Sequence, residues 1–241
     1  MKVGIITDIH NNSVALEAIL TEFEERGVEK IICCGDIIGI GPNPEECVQM
    51  LSQNKKLIAC VLGNHERYLT EGFDVKVKMT DGEKAQHKWE HARLSDASKS
   101  FIYGLKPYEN VVINGKKIHV IHYAIDELGE YLHFGKEPQL EDLEDAFATV
   151  DADVVLYGHE HNPSILKGSK LFINAGSVGC PGYKQNVVHG GILDITDETI
   201  YTPLEIVYPV HEAIEAINRY RYPDYQVVKE IFYGIKETRD S

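Results

Sequence analysis

Nowhere does the 241-residue chain approach the run of about eighteen apolar residues that a membrane-spanning helix requires. Its first apolar run, Val3 to Ile6, is broken at Asp8 before the core of a secretory signal could form. No membrane partner is expected. Cysteine is also sparse: Cys33, Cys34, Cys47, Cys60 and Cys180 are odd in number and show no C-x-x-C spacing, which argues against a disulfide framework and a zinc ribbon. Three of them, Cys33, Cys34 and Cys60, sit in apolar runs where a thiol acts as a small hydrophobe. That usage fits the reducing cytoplasm. Positive charge is short too, with 24 Lys and Arg against 38 Asp and Glu and a formal net charge of -14. An acidic body repels phosphate backbones, so nucleic acid is disfavoured as a partner, while a locally positive pocket can still take a small anion. With no repeat, linker or low-complexity tract, residues 1–241 are expected to form a single domain.

What the chain does contain is an alternation of short β-branched runs and amphipathic stripes. Lys2 to Thr7 reads as a buried strand ending at Asp8. A polar turn through Asn11, Asn12 and Ser13 then opens a helix whose Leu16, Ile19, Leu20 and Phe23 recur at i, i+3, i+4 and i+7. Lys30 to Cys34 is a second strand, Pro44 to Ser52 a second helix with proline near its start, and Leu57 to Leu62 a third strand. This order is the pattern of a parallel sheet covered on both faces. Residues 67–105 are polar and read as a helical, lid-like insertion with a loop around Gly72 to Gly82. A hairpin over 109–122 turns at Asn114-Gly115. A loop at 124–137 and a helix from Pro138 to Val150 lead to the apolar strand Asp153 to Tyr157. Further strands are expected at 170–174, 188–195 and 199–207, with a helical tail over about 210–241.

Polar residues fall where these strands end. Asp8, Asp36 and Asn64 each follow a strand and lie 28 residues apart, close to the roughly 30 residues of a strand–helix–strand unit. Parallel strands would deliver all three to one sheet edge, where open α/β sheets bind ligands. His10, His122, His159 and His161 also lie at strand ends or adjoining turns. Carboxylate, amide oxygen and imidazole together suit borderline divalent metals. Seven such residues exceed one tetrahedral zinc, but they make two sites of four if one carboxylate bridges, and Asp36 is the natural bridge. Two divalent ions against two carboxylates leave positive charge for an anionic substrate. Paired ions also clamp the attacking and leaving oxygens of an in-line displacement.

Asp8-Ile9-His10, Gly35-Asp36, Gly63-Asn64-His65-Glu66, His122 and Gly158-His159-Glu160-His161 resemble, in order, the five motifs of the calcineurin-like metallophosphoesterase superfamily. Asn174-Ala175-Gly176-Ser177-Val178-Gly179 resembles the N-P-G-S-V-G turn of its small prokaryotic phosphodiesterases. The resemblance implies an α/β fold, a four-layer α/β/β/α sandwich of two mixed β-sheets. It also implies metal-dependent hydrolysis of phosphate esters (phosphodiesterase or phosphatase) by metal-bound hydroxide. One ion would be held by Asp8, His10, Asp36 and His161, and a second by Asp36, Asn64, His122 and His159. Mn is favoured, with Fe, Ni, Co and Zn as alternatives. His65 matches the catalytic histidine that protonates the leaving oxygen, a role suited to imidazole. Asn12 matches a substrate-contacting asparagine, although Asn11 replaces the usual glycine before it. Ser/Thr protein phosphatases carry an arginine shortly after Gly-Asp; residues 37–41 have none, and Arg67 is the candidate replacement. The expected partner is a small phosphorylated substrate, and a homo-oligomer remains open. The rival readings are a dinucleoside polyphosphate or nucleotide hydrolase, and a binding scaffold like the retromer subunit of similar fold, which lacks the catalytic histidine.

Other motifs read as structural. His87-Lys88-Trp89-Glu90-His91 has the H-x-x-E-H spacing of an inverted zinc-protease motif, but its nearby charges read as a solvated helix face. His119, out of phase with His122, reads as structural. Cys180 lacks a matched base for a nucleophile. His133, beside Tyr131, either lines the pocket or covers it.

Overall fold

Side chains alternate between the two faces of each short strand, and along the central strands both faces are buried, which sets the layers. The computed structural model describes residues 1–73, 78–134, 137–180, 186–196 and 198–235. Parts of the loops expected at 72–82 and 124–137, and the end of the tail, lie outside them. Strands β1 (Lys2–Ile6), β2 (Lys30–Cys33) and β3 (Leu57–Cys60) pair in parallel, as their spacing requires. Strands β4 (Tyr108–Ile113) and β5 (Lys116–Ile121) form the expected hairpin. Its turn residues Asn114 and Gly115 both take positive φ, 48° and 81°, as a two-residue turn of this hand demands. Strands β6 (Val154–Tyr157), β7 (Ser164–Lys167), β8 (Leu171–Asn174), β9 (Val187–Ile195) and β10 (Thr199–Val207) complete two five-stranded sheets. Their orders are β10-β9-β1-β2-β3 and β4-β5-β6-β8-β7, and each mixes parallel with antiparallel pairs. The half-exposed strand β7, which extends the second sheet to five strands, lies outside the strands expected from the sequence because its four residues carry little apolar signal.

The two sheets face each other. Val3 and Ile5 of β1 and Ile32 of β2 join Val154 and Leu156 of β6 and Ile173 of β8 in one core cluster between them. The intervening side chains point outward. Ile6, Ile31 and Cys33 pack beneath α1 (Ser13–Glu25) and α2 (Pro44–Ser52), where Leu16, Ile19, Val48 and Leu51 are buried. Val155, Tyr157 and Phe172 meet Leu143 and Phe147 on the other outer face. Each fully buried aliphatic side chain is worth about 1.5–3 kcal/mol, so these three clusters dominate the gain on folding. Helices thus cover the outer face of each sheet and the two sheets face each other, the four-layer α/β/β/α sandwich that the resemblance implies.

The expected polar segment forms α3 (Asn64–Thr70), α4 (Asp81–His91) and α5 (Asp96–Tyr103). Helix α4 starts at Thr80, whose hydroxyl accepts from Glu83 N while the Glu83 carboxylate takes Thr80 N, 2.6 Å away. Helix α6 (Leu140–Ala146) covers the second sheet. Helices α7 (Val210–Tyr220) and α8 (Tyr225–Tyr233) follow β10, with Ile217 and Val228 packed into the cluster above the first sheet.

Candidate metal centre

Chain turns following β1, β2, β5 and β6 converge with the first turn of α3. They are unusual in backbone as well as sequence. Asp8, His10, Asp36, His159 and His161 all have φ between 49° and 76°, the left-handed region that non-glycine residues avoid at a cost of about 1–2 kcal/mol each. A mesh of hydrogen bonds holds them there. Asp8 N donates to Gly35 O (3.0 Å), and Ile9 N and His10 N both donate to Asp36 O (2.8 and 3.0 Å). The Asn174–Gly179 turn closes over the same segment, with Ser177 Oγ and Gly179 N donating to Asp8 O at 2.7 and 3.0 Å. Two glycines are required by close approach: a Cβ on Gly63 would collide with the Asp36 carboxylate, and one on Gly158 with Thr7 and Asp8.

Side-chain donors point into a common space. His10 Nε2 and His161 Nε2 are 2.9 Å apart, and lie 3.8 and 3.5 Å from Asp8 Oδ1. Asp36 Oδ2 is 3.9 Å from His10 Nε2 and 3.4 Å from His122 Nε2. His159 Nδ1 faces Asn64 Oδ1 at 3.1 Å. Donors sharing an ion with bonds near 2.1 Å sit about 3.0–3.5 Å apart, so these separations suit divalent cations. Asp8, His10 and His161 form one group, and Asp36, His122 and His159 another, with Asp36 also near His10.

The surroundings fix the donors. His122 Nδ1 donates to Cys34 O at 2.8 Å, which sets the tautomer and leaves buried Nε2 without a hydrogen-bond partner, aimed at Asp36. Asp8 accepts from Thr7 Oγ1 (2.7 Å) and His159 N (3.0 Å), and Asp36 Oδ1 from His65 N (3.0 Å). Electrostatics agree. Burial lowers the basicity of His122, yet Asp36 overrides it and raises the pKa to about 10, so the site draws in positive charge. Burial, reinforced by His161, holds His10 well below the ordinary imidazole value, in the neutral form that ligates metal.

His65 lies beside this set, its Nε2 4.0 Å from Asp36 Oδ2 and its ring 5.0 Å from that of His10. Burial lowers its pKa against the opposing pull of Asp36. Arg67 stays near the edge: its guanidinium bonds Glu71 (3.1 Å) and Gly129 O (3.0 Å) and lies 5.5 Å from the Tyr131 ring. It lines a cavity of about 260 Å³ with Asn64, Tyr68, Phe73 and Tyr131. Asn12 departs from expectation. Its side chain caps α1 by accepting from Ala15 N (3.1 Å) and donates to Gly179 O and the Tyr208 hydroxyl, so its hydrogen-bonding capacity is spent inside the fold.

The H-x-x-E-H segment needs correction: its polar face is not solvated. Glu90 is completely buried and His87 nearly so, because α4 lays that face on the turns after β1 and β2. Glu90 Oε2 accepts from Asn11 Nδ2 (2.7 Å) and Gly39 N (2.9 Å), while Lys88 points to solvent. Tyr131 comes within 5.9 and 5.6 Å of the His122 and His159 rings, and His133 is exposed. Cys180 is buried with its thiol pKa pushed well up, inert as a nucleophile. His119 faces away and donates to Asn110 Oδ1 at 2.8 Å. Glu66, in the third motif, is a functional residue that the sequence alone does not single out. It accepts from Asp36 N (2.9 Å), Ile38 N (3.0 Å) and Gly63 N (2.8 Å), and its placement three residues after Gly63 was the available signal.

Comparison with known proteins identifies relatives by sequence and by fold. An uncharacterized protein of Methanocaldococcus jannaschii is 30% identical over 250 residues, covering 96% of this chain and 98% of the relative. A phosphodiesterase of the same organism is 28% identical over 196 residues, 80% of this chain and 93% of that one. Among solved structures, a hypothetical protein of Pyrococcus horikoshii superposes with a TM-score of 0.81 at 18% identity, over 98% of this chain and 99% of the other. A metallophosphoesterase of Sphaerobacter thermophilus gives 0.75 at 21% identity, with the same coverage. These two share the fold. The family model for the calcineurin-like phosphoesterase superfamily domain matches residues 1–198, so the chain belongs to that superfamily and is a metallophosphoesterase.

Proposed function

We propose that the chain hydrolyses phosphate esters of small molecules at a dinuclear centre, with Asp8, His10, Asp36 and His161 holding one ion and Asp36, Asn64, His122 and His159 the other. The observation that carries this is Asp36 Oδ2, which lies within 3.4–3.9 Å of imidazoles from both groups and is placed to bridge them. Two divalent ions there would polarise the phosphoryl oxygens and acidify a water for in-line attack. His65, with Nε2 toward the same space, is placed to protonate the leaving oxygen. Arg67 reaches the cavity beside Asn64 and would orient an anionic substrate. Asn12 is left out of the substrate site because its amide is already used. The mixed oxygen and imidazole set admits Mn, our first choice, as well as Fe, Ni, Co or Zn.

The M. jannaschii phosphodiesterase supports ester cleavage. Tyr68, Phe73 and Tyr131 around Arg67 favour a nucleotide-like arm as the second reading, since aromatic faces stack bases. A pure binding scaffold is disfavoured by the presence of His65 beside the full donor set. No helix among the described residues is long and apolar enough to cross a membrane, and the buried free cysteines fit a reducing cytoplasm.

Metal analysis and a phosphoester and nucleotide panel with added Mn, Ni, Zn and Mg test the proposal. His65→Ala should keep its metal and lose about 10²–10⁴-fold in turnover, the worth of a general acid. Asp36→Asn should lose both metal and turnover. Equal metal content in the two variants would refute the division of roles, and a fully loaded protein inert on every ester would refute the reading.

A further inference from the structure

One set of potential ligands lies outside the centre described above. His87, Glu90 and His91 stand at i, i+3 and i+4 on α4, and one ligand atom from each lies within 4.8 Å of the others. We propose that these three residues form a separate site for a borderline divalent cation such as zinc, cobalt or nickel.

Geometry and hydrogen-bond supply point the same way. His87 Nδ1 is 2.5 Å and His91 Nε2 3.6 Å from the same oxygen, Glu90 Oε1. A single proton satisfies the His87–Glu90 contact, but it leaves His91 Nε2, a buried atom, with no hydrogen-bond partner. A cation beside Oε1 would engage all three atoms once the 2.5 Å His87–Glu90 contact opens to the roughly 3.0–3.5 Å that ligands of one ion keep. The carboxylate is already oriented for this, because Oε2 is pinned by Asn11 Nδ2 and Gly39 N. Two imidazoles and one carboxylate are the protein donor set of known catalytic zinc sites.

This site is not part of the dinuclear centre. The His65 ring stands between them, 5.0 Å from the His10 ring and 5.1 Å from that of His87. A cation held there would tie α4, through Glu90, to the turns after β1 and β2 that carry Asp8, His10 and Asp36. The proposal rests on the geometry of α4 and does not require the dinuclear reading.

Elemental analysis of protein saturated with zinc and then desalted separates the two. Three equivalents are expected for the wild type, two for His91→Ala and one for Asp36→Asn. Cobalt loading gives a second readout: His91→Ala should remove one component of the visible absorption that survives in Asp36→Asn. If His91→Ala fails to fold, His91→Phe, which keeps the ring volume, replaces it. Two equivalents in the wild type, both lost in Asp36→Asn, would overturn this proposal and leave the dinuclear centre standing. One equivalent, lost only with His91, would do the reverse. Three equivalents retained in His91→Ala would also overturn it.

Discussion

Glu66 and Glu90 are buried carboxylates on neighbouring helices that grip the same turn after β2, yet their charges are stabilised in different ways. Glu66 is held by dipoles: the N–H groups of Asp36, Ile38 and Gly63. Burial, then the adjacent Asp36 charge, pushes its pKa up to about 7 against those N–H groups. Glu90 is as deeply buried, but the hydrogen bond and charge of His87, aided by His65 and His91, outweigh burial and lower its pKa. A carboxylate held by fixed backbone dipoles is a structural post. One held by imidazoles is coupled to whatever those imidazoles bind. Position in the chain matches the difference: Glu66 lies two residues after Asn64, proposed as a ligand, whereas Glu90 arrives from a separate helix.

Removing each group is the most direct way to break the comparison. Glu66→Ala orphans three buried N–H groups, each worth about 1–3 kcal/mol when left unmade. A loss of about 3 kcal/mol or more is expected in urea unfolding, together with loss of metal at Asp36, whose backbone Glu66 positions. Glu90→Gln keeps one acceptor for Asn11 or Gly39, and should cost a smaller amount, about 1–2 kcal/mol. Both measurements belong in chelator, so that cation binding does not add to the folded state. Equal losses would show that the two posts do the same work and that the imidazoles add nothing.

Much of the site could be read before the fold was known, because strand length and the 28-residue spacing dictate which side chains reach a common edge. The parallel order of β1, β2 and β3 and the Asn114-Gly115 hairpin followed from periodicity and turn chemistry. The facing of the two sheets was legible through the family resemblance and not through periodicity, because Val154 and Leu156 carry the same apolar pattern whatever they face. The polar face of α4 was misread because charge in a sequence suggests water, while Glu90 instead serves backbone groups on two other turns. Asn12 shows the converse: a motif position read as a substrate contact is used up as a helix cap.

The same contrast, a titratable group with or without an opposite charge, recurs over three residues at the end of β5. His122 faces Asp36, whereas His119 packs between Tyr108 and Phe147, with ring centroids 5.3 and 6.0 Å away. Burial alone lowers the His119 pKa to about 4. A histidine with a depressed folded pKa costs nothing above the unfolded value near 6.5. As pH falls from about 6.5 to about 4 the unfolded chain takes up the proton first, so His119 progressively destabilises the fold. His119→Phe keeps the packing and removes the proton site, at the loss of one hydrogen bond to Asn110. The variant should therefore unfold more easily than wild type at pH 8, and the gap should narrow between pH 6.5 and 4. Parallel stability curves across that window would show that the imidazole on this face titrates normally, and would end the distinction between the two histidines.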